Sequence, residues 1–194
     1  MNREIIQNGD LRLKAPNKII YNFNSPELKR VVVDLVDSMR TNELIGMAAP
    51  QIGENWRVFV TEPRETKTRT GNQIDELRVY INPTITNFSK EKVLIWEGCG
   101  SYKRATCFGP VERPKEITVQ ASDLNGKRFS LTCDGILARV IQHEYDHLDG
   151  IEFVERMDNI ENLKDKEYYL SEIRNRPETI EVSIITKKEF KRVM

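Results

Sequence analysis

The sequence predicts an α+β domain in which antiparallel β-sheets pack around a central helix, with a further helix near the N-terminus. Three observations lead to this prediction. Apolar residues at helical spacing lie near the start, β-rich segments fill the middle of the chain, and a second amphipathic helix follows them. The chain of 194 residues is predicted to form a single domain, with a variable, charged C-terminal segment over residues 155–194.

The first helix is predicted over residues 25–42. Ser25 is a favourable N-cap, and Pro26 is favoured at the first helical position. Residues 44–53, with two glycines and a proline, are predicted to form a loop that runs close to other backbone. The helical stripe that we expect to be buried comprises Leu28, Val31, Val32, Leu35, Val36 and Met39.

The middle of the chain is rich in β-branched and aromatic residues. The segment 62–77 between two of these stretches is predicted to be a charged, exposed loop. Residues 116–133 predict a hairpin with Asn125 and Gly126 at its turn. The preceding strands are predicted over residues 56–61, 78–85 and 92–100.

Charge and hydropathy exclude several partners. The 30 basic and 30 acidic residues give a net charge near zero, so we expect no membrane association and no sequence-specific binding of nucleic acid. No apolar run approaches the roughly 18 residues of a membrane span, and residues 1–10 contain no signal-peptide core. A cytoplasmic location is therefore expected. A late strand is predicted within residues 179–190, and the basic end is expected to be solvated or to touch ribosomal RNA.

The second helix is predicted to start after Asp134 as N-cap and to stop at Gly150. It carries His143, Glu144 and His147 in the order His-Glu-x-x-His. On a helical wheel both histidines lie at the edge of the apolar arc, and Glu144 points into its middle, where an unpaired carboxylate is unfavourable. The other side of the helix is occupied by Arg139, Gln142, Asp146 and Asp149.

A metal ion with a bound water would satisfy this buried carboxylate. The two histidines, one turn apart, converge on one ion, while Glu144 reaches the water as general base. Two core histidines beside a buried ion pair are the structural alternative. The motif therefore predicts a metal hydrolase. Because the chain contains 2 histidines in total, its third ligand must be another residue type.

Two protease types differ in that third ligand. A metzincin needs a third histidine after the glycine, and residues 151–153 are Ile-Glu-Phe, which excludes it. A gluzincin-type metallopeptidase would use a later glutamate, although little protein follows His147 to wall a protease cleft. The available glutamates are Glu161, Glu167 and Glu172.

Cysteine is the remaining ligand type, and a thiolate suits a borderline-soft divalent ion. Cys99 lies at the end of a predicted strand between Gly98 and Gly100, which permit close approach of the backbone to an ion or substrate. Cys107 and Cys133 are expected to be small core residues. An odd number of cysteines without a paired framework also favours a reducing compartment.

Three segments resemble, in order and spacing, the signature motifs of the peptide deformylase family. They are IGMAAPQIG at 45–53, EGCGS at 97–101 and QHEYDH at 142–147. The similarity extends from GDLRLKAP near the start to the second helix. The resemblance implies the deformylase fold and an enzyme of protein biosynthesis, which hydrolyses the N-formyl group from the N-terminal formylmethionine of new polypeptides and releases formate.

By resemblance, Cys99, His143 and His147 hold the metal. The ion is typically ferrous iron, Fe2+, with Zn2+, Ni2+ or Co2+ as substitutes. The resemblance further implies that a metal-bound water, deprotonated with help from Glu144, attacks the formyl carbon. The metal, the side-chain amide of Gln51 and the backbone N–H of Gly100 then hold the oxyanion, and Glu144 returns the proton to the leaving amine.

The resemblance also implies how the substrate is held. The backbone of Gly46 would meet the peptide, while Ile136 and Val140 would wall a pocket for the methionine side chain. The implied partners are formyl-Met nascent peptides, with the ribosome near the exit tunnel as a further candidate. Two other functions are kept as alternatives: a His-Glu-x-x-His metallopeptidase and a catalytically silent deformylase-like binding protein.

Two positions depart from the family pattern. Leu44 stands where the family usually has a glycine, and Gly100 stands where the commonest form has leucine. Glycine still supplies a backbone N–H at position 100, but it removes a side chain from the substrate cleft. We therefore expect activity to survive and sequence preference to differ.

Overall fold

A computed structural model describes residues 1–66, 69 and 71–193 and confirms the α+β class. The described strands form two sheets, and every pairing between strands is antiparallel. The six-stranded sheet has the strand order 46–48, 58–61, 78–88, 117–122, 128–133 and 188–192, and the three-stranded sheet has the order 92–98, 107–114 and 164–165. No helix among the described residues is long and apolar enough to cross a membrane.

The elements have the following bounds. The helices are α1 (Pro26–Thr41), α2 (Gly135–Leu148), α3 (Lys166–Tyr168) and α4 (Pro177–Ser183), and a π-helical turn (Tyr169–Ile173) follows α3. The strands are β1 (Gly46–Ala48), β2 (Val58–Thr61), β3 (Arg78–Phe88), β4 (Lys92–Gly98), β5 (Cys107–Pro114), β6 (Ile117–Ser122), β7 (Arg128–Cys133), β8 (Lys164–Asp165) and β9 (Lys188–Arg192).

Helix α1 confirms the first prediction. The Ser25 hydroxyl accepts a hydrogen bond from the Leu28 N–H at 3.4 Å, and Pro26 occupies the first helical position. All six residues of the predicted stripe are buried, and they share one apolar cluster with β2. The N-terminal helix therefore covers one face of the large sheet.

The segment 44–53 is not the loop that its glycines and proline predict. It contains β1 and a 3-10 turn, Ala49–Ile52. Strand β1 pairs with β2, with Gly46 opposite Thr61 and Ala48 opposite Phe59. Met47 packs in the cluster below α1, whereas Ala48 packs in the cluster below α2. Pairing with β2 and burial on both faces make this glycine-containing stretch a strand.

The remaining strand predictions hold, with one correction in the loop 62–77. The predicted hairpin is formed by β6 and β7, and Gly126 adopts a left-handed φ of 75° at its turn. Asp75 in the loop is buried rather than exposed. Its carboxylate accepts hydrogen bonds from Arg78 at 2.6 Å and Lys188 at 2.7 Å, so the loop is fixed to β9.

Helix α2 is buried between the two sheets. Its apolar residues join the cluster of the six-stranded sheet, as Leu137, Ile141 and Leu148 show. Its polar side is buried as well, because it faces the three-stranded sheet: Arg139 donates to the Val93 carbonyl oxygen, and Gln142 donates to that of Pro114. Hydrogen bonds to strand carbonyls thus satisfy a helix face that the sequence pattern alone would assign to solvent.

The late strand is confirmed only in part. Residues 188–192 form β9, which pairs with β7, but the first part of the predicted stretch is helix α4. Pro177 at the first helical position and Glu178 in the first turn favour this helix. Phe190 stacks on Phe129 with ring centroids 5.2 Å apart, which helps to hold β9 against β7.

Asp134 occupies the predicted N-cap position but does not cap the helix with its side chain. Its carboxylate instead accepts hydrogen bonds from the backbone N–H groups of Thr186 and Lys187 and from the Thr186 hydroxyl. The segment before β9 competes with the helix for this carboxylate. Cys133 is buried as predicted, whereas Cys107 is only half-buried at the start of β5.

Gly135, the first residue of α2, provides a test of this junction. It has a φ of +59°, and a Cβ at this position would overlap the Ile184 carbonyl group. Gly135→Ala should lower the free energy of unfolding by about 1–3 kcal/mol more than Gly9→Ala. Gly9 has a φ of +94° with no atom within 4 Å of an added Cβ. Gly9→Ala therefore measures only the cost of placing a side chain on a backbone with positive φ. Urea unfolding of both variants would measure the difference, and equal losses would contradict the steric account.

Candidate metal centre

Three predicted ligands lie together in the structure. Cys99 directly follows β4, while His143 and His147 lie one turn apart on α2. Their possible ligand atoms all lie within 4.8 Å of one another, with the Cys99 Sγ 3.2 Å from the His147 Nε2. These residues could therefore hold one metal ion. The three glutamates that a gluzincin site would use are exposed and lie outside this group: Glu161, Glu167 and Glu172.

Glu97 fixes the ring of His143. The His143 Nδ1 lies 2.9 Å from the Glu97 Oε2, which leaves the Nε2 atom for an ion. Burial would raise the pKa of Glu97, but Arg113 and His143 more than offset it and hold the pKa well below its usual value. The carboxylate therefore remains ionised and can orient the imidazole ring.

The same carboxylate is the centre of a buried charge network. Arg113 donates to Glu97 through its Nε at 2.7 Å and its Nη2 at 3.0 Å, and Arg139 donates at 2.8 Å. Arg113 also donates to Asp146 on α2 at 2.5 Å. Because these groups are buried, removal of any one would weaken the compensation of the charges that remain, which is costly.

Glu144 points into the centre as the helical wheel predicts. It is 3% exposed, and its Oε2 is a buried atom without a hydrogen-bond partner among the described residues. Burial raises the pKa of this carboxyl group to about 7. An orphaned carboxylate oxygen beside two histidines and a thiol fits a site that holds a metal ion and its water.

Gly46 allows β1 to approach this carboxylate. A Cβ at position 46 would lie 2.5 Å from the Glu144 Oε1 and 2.5 Å from the Val140 Cγ2. A side chain at position 46 would therefore have to displace Glu144 and Val140. Glycine at position 46 thus allows β1 to lie close to α2 beside the Glu144 carboxylate.

Gln51 is buried, and three contacts orient its side-chain amide. Its Oε1 accepts a hydrogen bond from the Ala48 N–H at 2.8 Å. Its Nε2 lies 3.3 Å from the Ser101 Oγ and 3.5 Å from the Cys99 Sγ. The amide donor therefore faces the metal ligands rather than solvent.

The predicted substrate and catalytic residues line one cleft. Its volume of about 730 Å³ lies in the usual range for ligand sites. Ile136 and Val140 form part of the α2 side, and Gly46 and Gly100 lie at the edges of β1 and the Cys99 loop. The cleft therefore collects the predicted residues Gly46, Gln51, Cys99, Gly100, Ile136, Val140, His143 and Glu144, with His147 behind them.

The site combines a thiol, two histidines on one helix and a buried carboxylate, and it lies between antiparallel sheets. This combination is typical of a metal-dependent hydrolase. The sequence profile of the polypeptide deformylase family matches residues 2–163. The chain belongs to this family. The members to which it is similar are peptide deformylases, hydrolases that remove formyl groups.

Relatives and solved structures agree on this family. The peptide deformylase of Treponema pallidum strain Nichols is 42% identical over 68% of this chain and 74% of its own length. The chloroplastic peptide deformylase 1B of Solanum lycopersicum is 36% identical over 79% of this chain, which spans 52% of that longer protein. The Met-Ala-Ser-bound class I type b peptide deformylase of Acinetobacter baumannii has a TM-score of 0.74 and 31% identity, covering 81% of this chain and 99% of the other.

Several residues of the centre escaped the sequence prediction. Glu97 lies inside a recognised motif, and its alternation with Ile95 on β4 could have placed it toward α2. Ser101 also lies in that motif, and its hydroxyl oxygen accepts a hydrogen bond from the Gln51 side-chain amide. Arg113 and Arg139 gave no local signal, because their role depends on how two distant elements pack.

The two departures from the family pattern lie against each other. A Cβ added to Gly100 would be 2.7 Å from the Leu44 Cδ1 and 3.1 Å from the Ile5 Cδ1. Leu44 therefore occupies the space that a side chain at position 100 would need. Both residues line the cleft, so the wall missing from position 100 is supplied by position 44.

A double-mutant cycle tests this mutual exclusion. Gly100→Leu should destabilise the protein by about 1–3 kcal/mol because it overpacks against Leu44. Leu44→Gly should remove most of that penalty, with a coupling energy of about 0.5–3 kcal/mol. Urea unfolding of the wild type, both single variants and the double variant would measure it. Purely additive losses would show that the two positions do not compete for space.

Glu144 also predicts a pH dependence of stability for metal-stripped protein. Its folded pKa of about 7 exceeds the ordinary value of 4.5, so the unfolded state binds fewer protons between these values. Stability should fall as pH rises through this window, by about 3 kcal/mol in all. Glu144→Gln should therefore gain stability relative to the wild type between about pH 5 and pH 8. Unfolding curves at both pH values test this, and a pH-independent difference would contradict it.

Proposed function

We propose that this protein hydrolyses the N-formyl group of formylmethionine at the N-terminus of new polypeptides and releases formate. The observation that carries the proposal is the orphaned Glu144 carboxylate oxygen beside the Cys99, His143 and His147 cluster, at the inner end of a peptide-sized cleft. Membership of the deformylase family supports the same reaction.

Cys99, His143 and His147 would hold the ion, which we propose to be Fe2+, with Zn2+, Ni2+ or Co2+ as substitutes. A soft thiolate and two imidazoles form a donor set suited to these metals. Such an ion, when bound, lowers the pKa of a coordinated water and polarises a carbonyl group. Glu97 would support this role by holding the His143 ring with its Nδ1–H engaged.

Glu144 would act as the proton carrier. Burial raises the pKa of its carboxyl group, which makes it a stronger base for taking a proton from water before it returns that proton to the leaving amine. Its free Oε2 is the atom that we assign to this transfer.

Donors from two loops would stabilise the developing charge on the formyl oxygen. We assign these roles to the Gln51 Nε2, which its contacts with Ala48 and Ser101 orient, and to the backbone N–H of Gly100. The peptide would lie along the Gly46 edge of β1. Ile136 and Val140 would receive the methionine side chain on the apolar flank of the cleft.

The proposed substrates are nascent peptides that carry formyl-Met. A relative bound to Met-Ala-Ser supports peptide binding in this cleft. We infer a cytoplasmic location and a site of action close to the ribosome exit tunnel, where such N-termini first appear. The basic end of the chain would suit that environment, since it carries Lys187, Lys188, Lys191 and Arg192.

The proposal predicts formate release from formyl-Met-Ala-Ser by protein loaded with Fe2+ under anaerobic conditions. Glu144→Gln should lower kcat by about 10²–10⁴-fold, because it removes the proton carrier, while metal content stays unchanged. A coupled formate assay and elemental analysis would measure both quantities. Cys99→Ser should instead reduce the metal content.

Glu161→Gln is the matched control, since it removes an exposed carboxylate outside the centre. It should leave metal content and formate release unchanged. Full activity of Glu144→Gln would refute the assigned base. Cleavage of internal peptide bonds with a requirement for Glu161, seen by mass spectrometry, would support a metallopeptidase instead.

A further inference from the structure

Part of the cleft wall comes from the C-terminal segment. Lys166, Tyr169, Leu170 and Arg174 line the same cleft as Gly46, Gly100 and Val140. The family profile ends at residue 163, so this part of the wall lies beyond the region that matches the family. Residues 164–174 are called the C-terminal wall below.

Strand pairing and aromatic stacking fix the C-terminal wall to the metal centre. Strand β8 pairs with β5, and the Lys166 N–H donates to the Thr106 carbonyl oxygen at 2.8 Å. The ring of Tyr169 is buried and stacks on Phe108 at 4.2 Å with an interplanar angle of 7°. Phe108 in turn packs over Gly98, where a Cβ would lie 2.5 Å from its ring. Gly98 directly precedes Cys99, so the wall is held in register with the metal ligand.

The mouth of the cleft is rich in cations. Among the described lining residues, carboxylates occur at Glu43 near the mouth and at Glu97 and Glu144 in the centre. The Glu62 carboxylate behind the lining accepts hydrogen bonds from Arg40 and Arg64. Arg139 is the buried cation of the lining, and the exposed or half-buried ones, which we assign to the mouth, are Arg40, Arg64, Arg69, Lys166 and Arg174. The excess of positive charge favours an acidic ligand.

Arg69 is the cation most affected by this crowding. Burial, together with the nearby guanidinium groups of Arg174 and Arg64, lowers the pKa of Arg69 to about 10. An anion that entered the mouth would relieve this repulsion. Tyr169 lies within electrostatic range of the same group, so the loop carrying Arg69 and the C-terminal wall meet at this point.

The cations at the mouth of the cleft can contact only the part of a substrate that passes the mouth. The reacting group must reach Glu144, which is buried, so the rest of the peptide has to leave through the mouth. An extended chain advances about 3.3 Å per residue. The residues that follow methionine are therefore the ones that pass the cations.

We propose that the C-terminal wall completes a subsite for the residues that follow methionine, and that this subsite prefers nascent chains with acidic side chains there. The proposal rests on the proposed function, since it assigns the cleft to formyl-Met peptides. Attraction between the cations of the mouth and an acidic peptide would speed their encounter and stabilise the bound complex. It should therefore raise kcat/KM for acidic peptides.

The test compares three peptide amides: formyl-Met-Ala-Asp-Asp, formyl-Met-Ala-Ser-Ser and formyl-Met-Ala-Lys-Lys. At low salt kcat/KM should be at least about fivefold higher for the acidic peptide than for the basic one. This ratio should fall toward one as NaCl is raised from about 20 to about 500 mM. Lys166→Glu should lower the ratio severalfold at low salt. Equal rates for the acidic and basic peptides would overturn the proposal.

Lys191→Glu is the matched control, because it makes the same charge change on β9, outside the cleft lining. It should leave the ratio near the wild-type value. A loss as large as that of Lys166→Glu would mean that net charge, not the C-terminal wall, sets the preference, and would overturn the proposal.

Turnover of the neutral peptide distinguishes a failure of the proposed deformylase function from a failure of the proposed subsite. If the wild type releases no formate from it, the proposed function fails. The subsite can then still be judged by calorimetric binding of the amides Met-Ala-Asp-Asp and Met-Ala-Lys-Lys. Tighter binding of the acidic peptide that Lys166→Glu abolishes would support the subsite, and equal binding would overturn it.

Discussion

The buried carboxylate of Glu97 is the interaction on which the rest of the structure depends. It lies on the small sheet, yet it contacts His143 and Arg139 of α2 and Arg113 of the neighbouring strand. Ionic groups out of water are stable only when each has a partner with good geometry. This one carboxylate therefore fixes the position of the helix against the sheet and the orientation of a ring in the metal centre.

The same constraint explains why α2 can be buried on both sides. Its apolar side packs in the cluster of the six-stranded sheet, as expected for an amphipathic helix. Its polar side contacts β4 and β5 through ion pairs and hydrogen bonds to carbonyl oxygens, so few groups are left unsatisfied. A helix in this position keeps its histidines and Glu144 almost fully buried at the inner end of the cleft. The raised pKa of Glu144 follows directly from that burial.

The sequence predicted what depends on local pattern and on chemical identity. Helix α1 and the hairpin followed from capping, periodicity and turn residues, and the three candidate ligands followed from the histidine count together with the resemblance to the deformylase motifs. Features that depend on partners distant in the chain were missed. Asp134 sits at a helix start but binds the segment before β9, and Asp75 lies in a charged loop but is buried by Lys188. In each case a carboxylate had two possible partners, and only tertiary packing decides between them.

The three candidate metal ligands come from different layers of the fold. Cys99 belongs to the small sheet, whereas His143 and His147 belong to a helix that also packs on the large one. An ion held by all three would act as a cross-link that closes a long loop, and its binding energy would add to the free energy of folding. Chelators and metal availability in the cell would then govern the lifetime of the folded protein as well as its chemistry.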